Sequence, residues 1–290
     1  MPAHIPLPSE VSDEILLADW LELLALTSDD SNASHGDLQR ELNRLGADGF
    51  DSLCSQTMCE LHRRVTATGI NYPFSFSGTL LKAKGDWRDY LPYVFCLLIS
   101  YCEPARRKVQ NIKHEMMFEQ LSCLAAREYV GGKVLRFGAP RKELAPGFSN
   151  ALTQLCGHVG EWSPVQRRAL HHKDGGLDLV AWKPFPDSRT GKLIFFGHCA
   201  SGGDWDDKIN ELQPDKFCSS WLGGTKSPVV KTFFIPHRLS PEVFDDRAVA
   251  AELFFDRCRI AHCASSSEFR ATTSGKVIVW CETILKRLNA

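Results

Sequence analysis

The sequence lacks the features that mark a membrane protein, a secreted protein or a polyanion-binding protein. Its formal net charge is only -1, which gives no overall attraction to nucleic acid or to an anionic membrane. The N-terminal segment has no basic stretch followed by an apolar core, so we expect no secretory signal. The longest apolar run, residues 90–102, is shorter than the roughly 20 residues that span a bilayer. It predicts a buried core helix and no membrane contact.

Paired metal-ligand motifs are also absent. The 11 cysteines are odd in number and form no Cys-x-x-Cys pair. The closest group is Cys258, His262 and Cys263, which has no second pair at zinc-finger spacing. Scattered reduced cysteines are typical of packed elements in cytosolic proteins, so we expect a cytoplasmic location.

What is present is enough chain for one large or two ordinary domains, with 43% hydrophobic and 24% charged residues. Residues 1–107 predict an all-helical accessory or recognition region of four helices, with "NYPFSFSG" as a loop. Residues 108–290 predict a helix, a strand, two inserted helices, two strands, a helix, a strand and further helices. The fold class is therefore α/β with a mixed central sheet.

Two strands of the second region carry polar residues in apolar surroundings. Asp178 lies in "GLDLVAW", where an unpaired buried carboxylate is costly, so we expect a salt bridge or a metal partner. In the next strand, "GKLIFFGHCA", alternation places Phe196, His198 and Ala200 on one face and Cys199 on the other. If the hairpin is in register, Asp178 and His198 converge at the same end.

This arrangement resembles the PD-(D/E)xK nuclease superfamily, the restriction-endonuclease-like fold, and within it a divergent Mrr-like family associated with bacterial restriction or phage defence. The resemblance covers residues 108–238 and implies a core of helix, three strands, helix and strand. It implies an acidic residue on the second strand, where Asp178 lies, and a Glu or Gln, one residue and a Lys on the third. It also implies a glutamate on the first helix, where Glu119 lies.

The resemblance implies a metal-dependent endonuclease that hydrolyses DNA phosphodiester bonds, with Mg²⁺ or Mn²⁺ held by Asp178, Glu119 and His198. The chain departs from the pattern in two positions, because His198 occupies the Glu/Gln position and Ala200 the lysine position. We expect Lys208, in the helix after "GGDW", to replace the lysine. Lys183 is a weaker substitute, because alternation points it away from Asp178.

Basic residues near these strands are candidate phosphate contacts, although each alone is better explained as an ordinary surface charge. They are Arg136, Arg141, Arg167 and Arg168. The patch formed by Asp256, Arg257 and Arg259 fits either a phosphate contact or a salt-bridged turn, and we favour the turn.

Two other functions are compatible with the same residues. A catalytically inactive nuclease-like module that binds DNA or a partner protein of a defence system would explain the missing lysine. A cysteine hydrolase would use Cys199, since "FFGHCASGG" faintly resembles a nucleophile elbow, with His237 or His262 as the base. The elbow spacing is imperfect, because Ser201 stands where the last glycine belongs.

Overall fold

The computed structural model describes residues 5–8, 10–46, 49–102, 104, 107–165, 175–223 and 227–289. The helices are α1 (Glu14–Thr27), α2 (His35–Arg44), α3 (Asp51–Thr68), α4 (Leu91–Tyr101), α5 (His114–Val130), α6 (Phe148–Val159), α7 (Trp205–Lys208), α8 (Pro214–Trp221), α9 (Pro241–Ala251), α10 (Arg257–Cys263), α11 (Ser266–Thr272) and α12 (Lys276–Leu288).

Ten strands alternate with these helices in the described part of the chain. They are β1 (Asn32–Ser34), β2 (Phe74–Phe76), β3 (Leu80–Ala83), β4 (Lys133–Arg136), β5 (Ser163–Pro164), β6 (Leu179–Lys183), β7 (Leu193–Cys199), β8 (Leu222–Gly223), β9 (Val229–Phe234) and β10 (Leu253–Phe255). The predicted α/β class is confirmed.

The chain forms two compact units that interleave in sequence. The first comprises Met1–His114, Pro236–Ser240 and Arg257–Ala290, and the second comprises Glu115–Ile235 and Pro241–Asp256. The predicted division at 107/108 assigned the C-terminal residues to the second part, whereas they pack with the first unit. The reason is burial: Arg257 and Trp280 are fully enclosed there, and the Trp280 indole donates to Arg107 O at 3.0 Å.

The prediction that the N-terminal region is all helical is wrong, because the first unit also contains a small antiparallel sheet in the order β1-β3-β2. The segment predicted as a loop, "NYPFSFSG", supplies β2. Its Phe-Ser-Phe alternation buries Phe74 and exposes Ser75, which is the two-residue period of a strand. The period is only three residues long and directly follows Pro73, so the helix and loop signals on either side outweigh it.

The predicted helices of the first unit are confirmed as α1 to α4 and α12. Helix α1 begins one residue later than the expected Ser12 cap, because the Asp13 carboxylate accepts from the Ile15 and Leu16 amides. Helix α4 is buried along residues 91–99 and has Pro92 in its first turn, as its apolar run predicts. No helix in the described ranges is both long enough and apolar enough to cross a membrane.

The first unit encloses a set of charged side chains, which we call the first-unit ion cluster: Asp19, Glu22, Glu60, Arg64 and Arg257. Arg64 Nη1 lies 2.6 Å from Asp19 Oδ1 and 2.9 Å from Glu22 Oε2. Arg257 Nη2 donates to both oxygens of Asp19 at 2.8 and 2.9 Å. These bonds support the salt-bridged reading of the Asp256–Arg259 patch and join the C-terminal residues to α1.

The second unit is built on a five-stranded mixed sheet in the order β10-β9-β7-β6-β4. Strands β4, β6 and β7 are antiparallel neighbours, β9 runs parallel to β7, and β10 runs parallel to β9. On one face, α6 and α8 cover a core that includes Phe148, Phe196 and Phe217. On the other face, Tyr129 of α5 contacts Phe195. The predicted alternation along β7 is confirmed.

Two predicted helices of the second unit differ from the structure. The helix expected after "GGDW" is interrupted, because α7 ends at Lys208 and α8 begins at Pro214, whose missing N–H suits a first helical turn. The second inserted helix was predicted to start at Ser163, but Ser163–Pro164 is strand β5 and pairs with β8. The rest of that predicted helix, residues 166–174, lies outside the described residues.

Candidate functional site

Asp178 and His198 meet because the hairpin of β6 and β7 is in register. Leu179 pairs with Gly197, and the Asp178 amide donates to Gly197 O at 2.9 Å. The neighbouring side chains then face each other at the same end of the sheet, with His198 Nδ1 2.9 Å from Asp178 Oδ2. The predicted convergence of these two residues is confirmed.

Main-chain amides hold Asp178 on both sides, and one of them orients its carboxylate. The amides of Phe137 and Gly138 both donate to Asp178 O, at 2.6 and 2.9 Å. The Cys199 amide donates to Asp178 Oδ2 at 2.7 Å. Asp178 Oδ1 receives no hydrogen bond from any residue that the structure describes. One oxygen is thus held by the sheet while the other is available to a ligand.

Glu119, on α5, brings a second carboxylate to the same place. A Cβ added at Gly138 would lie 2.7 Å from Glu119 Oε2 and 3.2 Å from Asp178 Oδ1. The two oxygens are therefore separated by no more than the sum of these distances. Only a residue without a side chain leaves the point between them open, so Gly138 creates a cradle between two carboxylates.

His198 lies between two carboxylates, those of Asp178 and Glu211. Its Nε2 lies 3.3 Å from Glu211 Oε2, and neither ring nitrogen is aligned for a hydrogen bond within the described residues. Burial lowers the pKa of His198, whereas contact with Asp178 and the charge of Glu211 raise it. The two carboxylates together have the larger effect, so the pKa of His198 lies above its ordinary value. A protonated imidazole has no lone pair for a metal, which favours a cationic role over the predicted metal-ligand role.

The structure does not bring Lys208 into this group. Its Nζ lies 3.0 Å from Asp204 Oδ1 and 2.9 Å from Asp204 Oδ2, and its side chain is partly exposed. Lys208 is the last residue of α7, and its side chain folds back along its own helix to Asp204. Ala200, in the position where the resembling family has its lysine, is buried and adds no charge.

The predicted phosphate-contacting arginines have other partners in the structure. Arg136 Nε donates to Glu119 Oε2 at 2.7 Å, and its Nη1 donates to Pro140 O at 2.8 Å. Arg141 lies over the Phe137 ring at 4.6 Å and donates to Pro146 O. Arg167 and Arg168 lie outside the described residues. Arg136 therefore belongs to the site through its bond to Glu119.

The surroundings of Cys199 disfavour cysteine chemistry. Burial, followed by the charges of Asp178 and Glu119, raises the pKa of the Cys199 thiol well above its ordinary value. A nucleophilic cysteine needs the opposite environment, one that stabilises the thiolate. The adjacent carboxylates would repel that thiolate, so the geometry disfavours the cysteine-hydrolase alternative.

No family model, curated protein or solved structure matches the chain. The site is therefore interpreted from its own geometry. We call Glu119, Arg136, Asp178, His198 and Glu211 the second-unit cluster.

Sequence reasoning missed two members of this region. Glu211 lies in the turn between α7 and α8, inside a stretch that the sequence predicts to be one continuous helix. Gly138 follows β4 and carries no functional group, so only the approach of Glu119 and Asp178 gives it meaning. The sequence signal for it is a glycine two residues after a strand. Such a glycine indicates that another group approaches the main chain closely, but it does not indicate which group.

The donor chemistry at Gly138 fits a hard divalent cation. Glu119 and Asp178 offer carboxylate oxygens, the ligands that Mg²⁺ and Mn²⁺ prefer. The described residues contain no set of three His, Cys, Asp or Glu arranged to hold a metal ion. Mg²⁺ is commonly bound by one or two carboxylates, with water and substrate phosphate completing its shell, so two protein ligands are sufficient.

Proposed function

We propose that the second unit is a divergent restriction-endonuclease-like nuclease domain that hydrolyses DNA phosphodiester bonds with the help of Mg²⁺ or Mn²⁺. The setting we propose is bacterial restriction or anti-phage defence, in the cytoplasm. The observation that carries the proposal is the cradle at Gly138, where the carboxylates of Glu119 and Asp178 face one point at the end of the sheet.

The order of elements supports the same reading. Helix α5 is followed by three antiparallel neighbours, β4, β6 and β7, then by α8, and then by β9, which is parallel to β7. With α6 and β5 taken as an insertion between β4 and β6, this order is compatible with the helix, three strands, helix and strand that the resemblance implies. Asp178 directly precedes the second of these strands and His198 lies near the end of the third.

Glu119 and Asp178 are the residues that would hold the metal. When bound there, the ion would polarise the scissile phosphate and lower the pKa of a coordinated water. Both ligands stand on rigid elements, α5 and the edge of β6, which limits their motion. The Cys199 amide turns Asp178 Oδ1 toward the cradle by holding Oδ2.

His198 supplies positive charge where the family pattern has a carboxylate or amide. Its raised pKa leaves more of the imidazole protonated near neutral pH than is usual. The imidazolium offsets Asp178 and Glu211, so an anionic substrate meets less repulsion. When protonated, it carries a proton on both Nδ1 and Nε2, on the side of the sheet where the phosphate lies in this proposal.

The proposal is tested by plasmid cleavage with purified protein, in Mg²⁺ and in Mn²⁺, comparing wild type with Asp178→Asn. Second-sphere changes at metal sites cost roughly 10- to 100-fold, so loss of a direct ligand should lower the cleavage rate at least about 100-fold. The matched control is Asp187→Asn, because Asp187 is an exposed aspartate on the turn between β6 and β7. Equal cleavage by wild type and Asp178→Asn would refute the assignment.

A second candidate function is a nuclease-like module that binds DNA or a partner protein without cleaving. Two observations favour it: Ala200 supplies no cation, and Lys208 is paired with Asp204. The same experiment separates the two functions. Wild-type protein that retards the plasmid in a gel and leaves it intact with both metals, with every partner subunit supplied, would establish the binding module.

A further inference from the structure

The proposed site lacks the cation that its family pattern provides. Phosphodiester hydrolysis concentrates negative charge on the phosphate, and a positively charged donor at that point is usually a large part of the stabilisation. Ala200 supplies none, and Lys208 is engaged by Asp204. Lys183 lies at the opposite end of β6 from Asp178. The imidazole of His198 lies between Asp178 and Glu211, so a cation that is not already shared by two carboxylates must come from a different residue if an anionic substrate binds here.

We propose that Arg136 is the residue that binds the substrate phosphate, an inference that rests on the proposed nuclease function. Arg136 is the last residue of β4 and pairs with Leu179, the neighbour of Asp178. Its Nε donates a 2.7 Å hydrogen bond to Oε2 of Glu119, one of the two carboxylates of the cradle. It therefore lies on the same end of the sheet as both carboxylates.

The Arg136 guanidinium is oriented by two of its nitrogens, while the third has no hydrogen bond within the described residues. Nε and Nη1 are bonded to Glu119 and Pro140, which fixes the plane of the group. Nη2 is buried and has no hydrogen-bond partner among the residues that the structure describes, and Arg136 as a whole is only 8% exposed. A buried donor on a charged group is rarely left unsatisfied, because its desolvation is not repaid. A phosphate oxygen is the acceptor that suits an arginine best.

Arginine at this position also reconciles two demands on the cradle. Two carboxylates alone would repel a phosphate. Arg136 offsets the charge of Glu119 through its Nε bond, and its Nη2 can still donate to a phosphate oxygen. This would make Arg136 both the partner of a metal ligand and a direct contact of the substrate.

The test measures binding of a short fluorescein-labelled DNA duplex by anisotropy in EDTA, over a series of salt concentrations, so that metal-dependent cleavage does not contribute. We expect Arg136→Gln to bind about 10-fold more weakly or worse. We also expect its slope of log affinity against log salt to fall by about 1, as for the loss of one phosphate contact. The charge-matched control is Arg189→Gln, an exposed arginine on the turn between β6 and β7.

A second variant guards against a trivial folding defect. Glu119→Gln removes the negative partner of Arg136, so it should tighten DNA binding and keep the wild-type slope, which an unfolded protein does not do. The inference is overturned if wild type does not bind the duplex, if Arg136→Gln keeps the wild-type slope, or if Arg189→Gln lowers the slope equally. Failure of the nuclease function appears separately, as equal plasmid cleavage by wild type and Asp178→Asn.

Discussion

Each unit of the molecule contains a cluster of opposite charges, and the two clusters differ in how completely they are closed. In the first-unit ion cluster, the side chains of Glu22, Glu60, Arg64 and Arg257 have no exposed surface and that of Asp19 has 2%. In the second-unit cluster, the side-chain exposure is 12% for Asp178, 18% for Glu119 and 53% for Glu211. The first is sealed and the second opens to solvent on one side.

The bonding separates the clusters less than the exposure does. Asp19 accepts from Arg64 and Arg257, and Glu22 Oε1 accepts from the hydroxyls of Tyr72 and Tyr93. Buried polar atoms without a hydrogen bond within the described residues occur in both clusters: Glu22 Oε2, Arg257 Nε and Arg257 Nη1 in the first, and Arg136 Nη2 and both nitrogens of His198 in the second. The feature that distinguishes the second cluster is therefore its opening to solvent, which lets a ligand reach such atoms.

The largest effect should come from opening the sealed cluster. Arg257→Met leaves Asp19 and Glu22 buried without one of their cations, and breaking a buried pair typically costs about 3 to 5 kcal/mol. We therefore expect the free energy of unfolding, measured by urea titration followed by circular dichroism, to fall by that amount. Arg259→Met, two residues away on α10 and exposed, should change it by less than about 0.5 kcal/mol. Similar small losses for both variants would show that the first cluster is not a structural element.

A pH series on Glu60 should show an intermediate effect. Burial raises the pKa of Glu60, but Arg64 and Arg238 lower it more, so its folded pKa lies below the usual 4.5. A carboxyl with a lowered folded pKa stabilises the fold above its unfolded pKa, and this stabilisation is lost as the pH falls through the folded pKa. At pH 7, Glu60→Gln should cost about 2 to 3 kcal/mol, the loss of charged hydrogen bonds.

The difference in unfolding free energy between wild type and Glu60→Gln should then shrink below about pH 4.5. Urea titrations at several pH values between neutral and acidic would measure it. A difference that stays constant across the acidic range would mean that the Arg64 and Arg238 contacts do not favour the charged form. The difference itself removes the contribution of every other titrating group that both proteins share.

The elements that the sequence predicted well are those with a long, one-sided pattern. The strands β6, β7 and β9 are apolar runs bounded by turn residues, and α12 is an amphipathic segment of 13 residues. The three-residue strands of the first unit carry too short a period to be recognised. The partner of the C-terminal helices was also out of reach, because an apolar stripe shows that a helix is packed but not against which surface.

The same distinction between local pattern and tertiary contact applies to the candidate site. The meeting of Asp178 and His198 was predictable, because alternation and hairpin register are properties of neighbouring strands. The position of Lys208 was not, because it depends on where α7 stops and on a local pair with Asp204. The environment of Arg136 depends on α5 crossing β4, a tertiary contact that no spacing along the chain encodes.

The smallest effect should come from Lys208, and it would sharpen the contrast between an engaged surface charge and a charge held in reserve. The lysine pairs with Asp204 one helical turn away, and exposed pairs of this kind contribute about 0 to 1 kcal/mol. Lys208→Met should therefore barely change the unfolding free energy. It should also leave plasmid cleavage unchanged within a factor of about 2, because no bond in the described structure links Lys208 to Asp178 or Glu119.

Asp204→Asn is the matched control for Lys208→Met, since it removes the other half of the pair and should have equally little effect. A large loss of cleavage in Lys208→Met with normal cleavage in Asp204→Asn would mean that Lys208 leaves Asp204 when substrate binds, and that the cation of the site comes from α7 and not from β4.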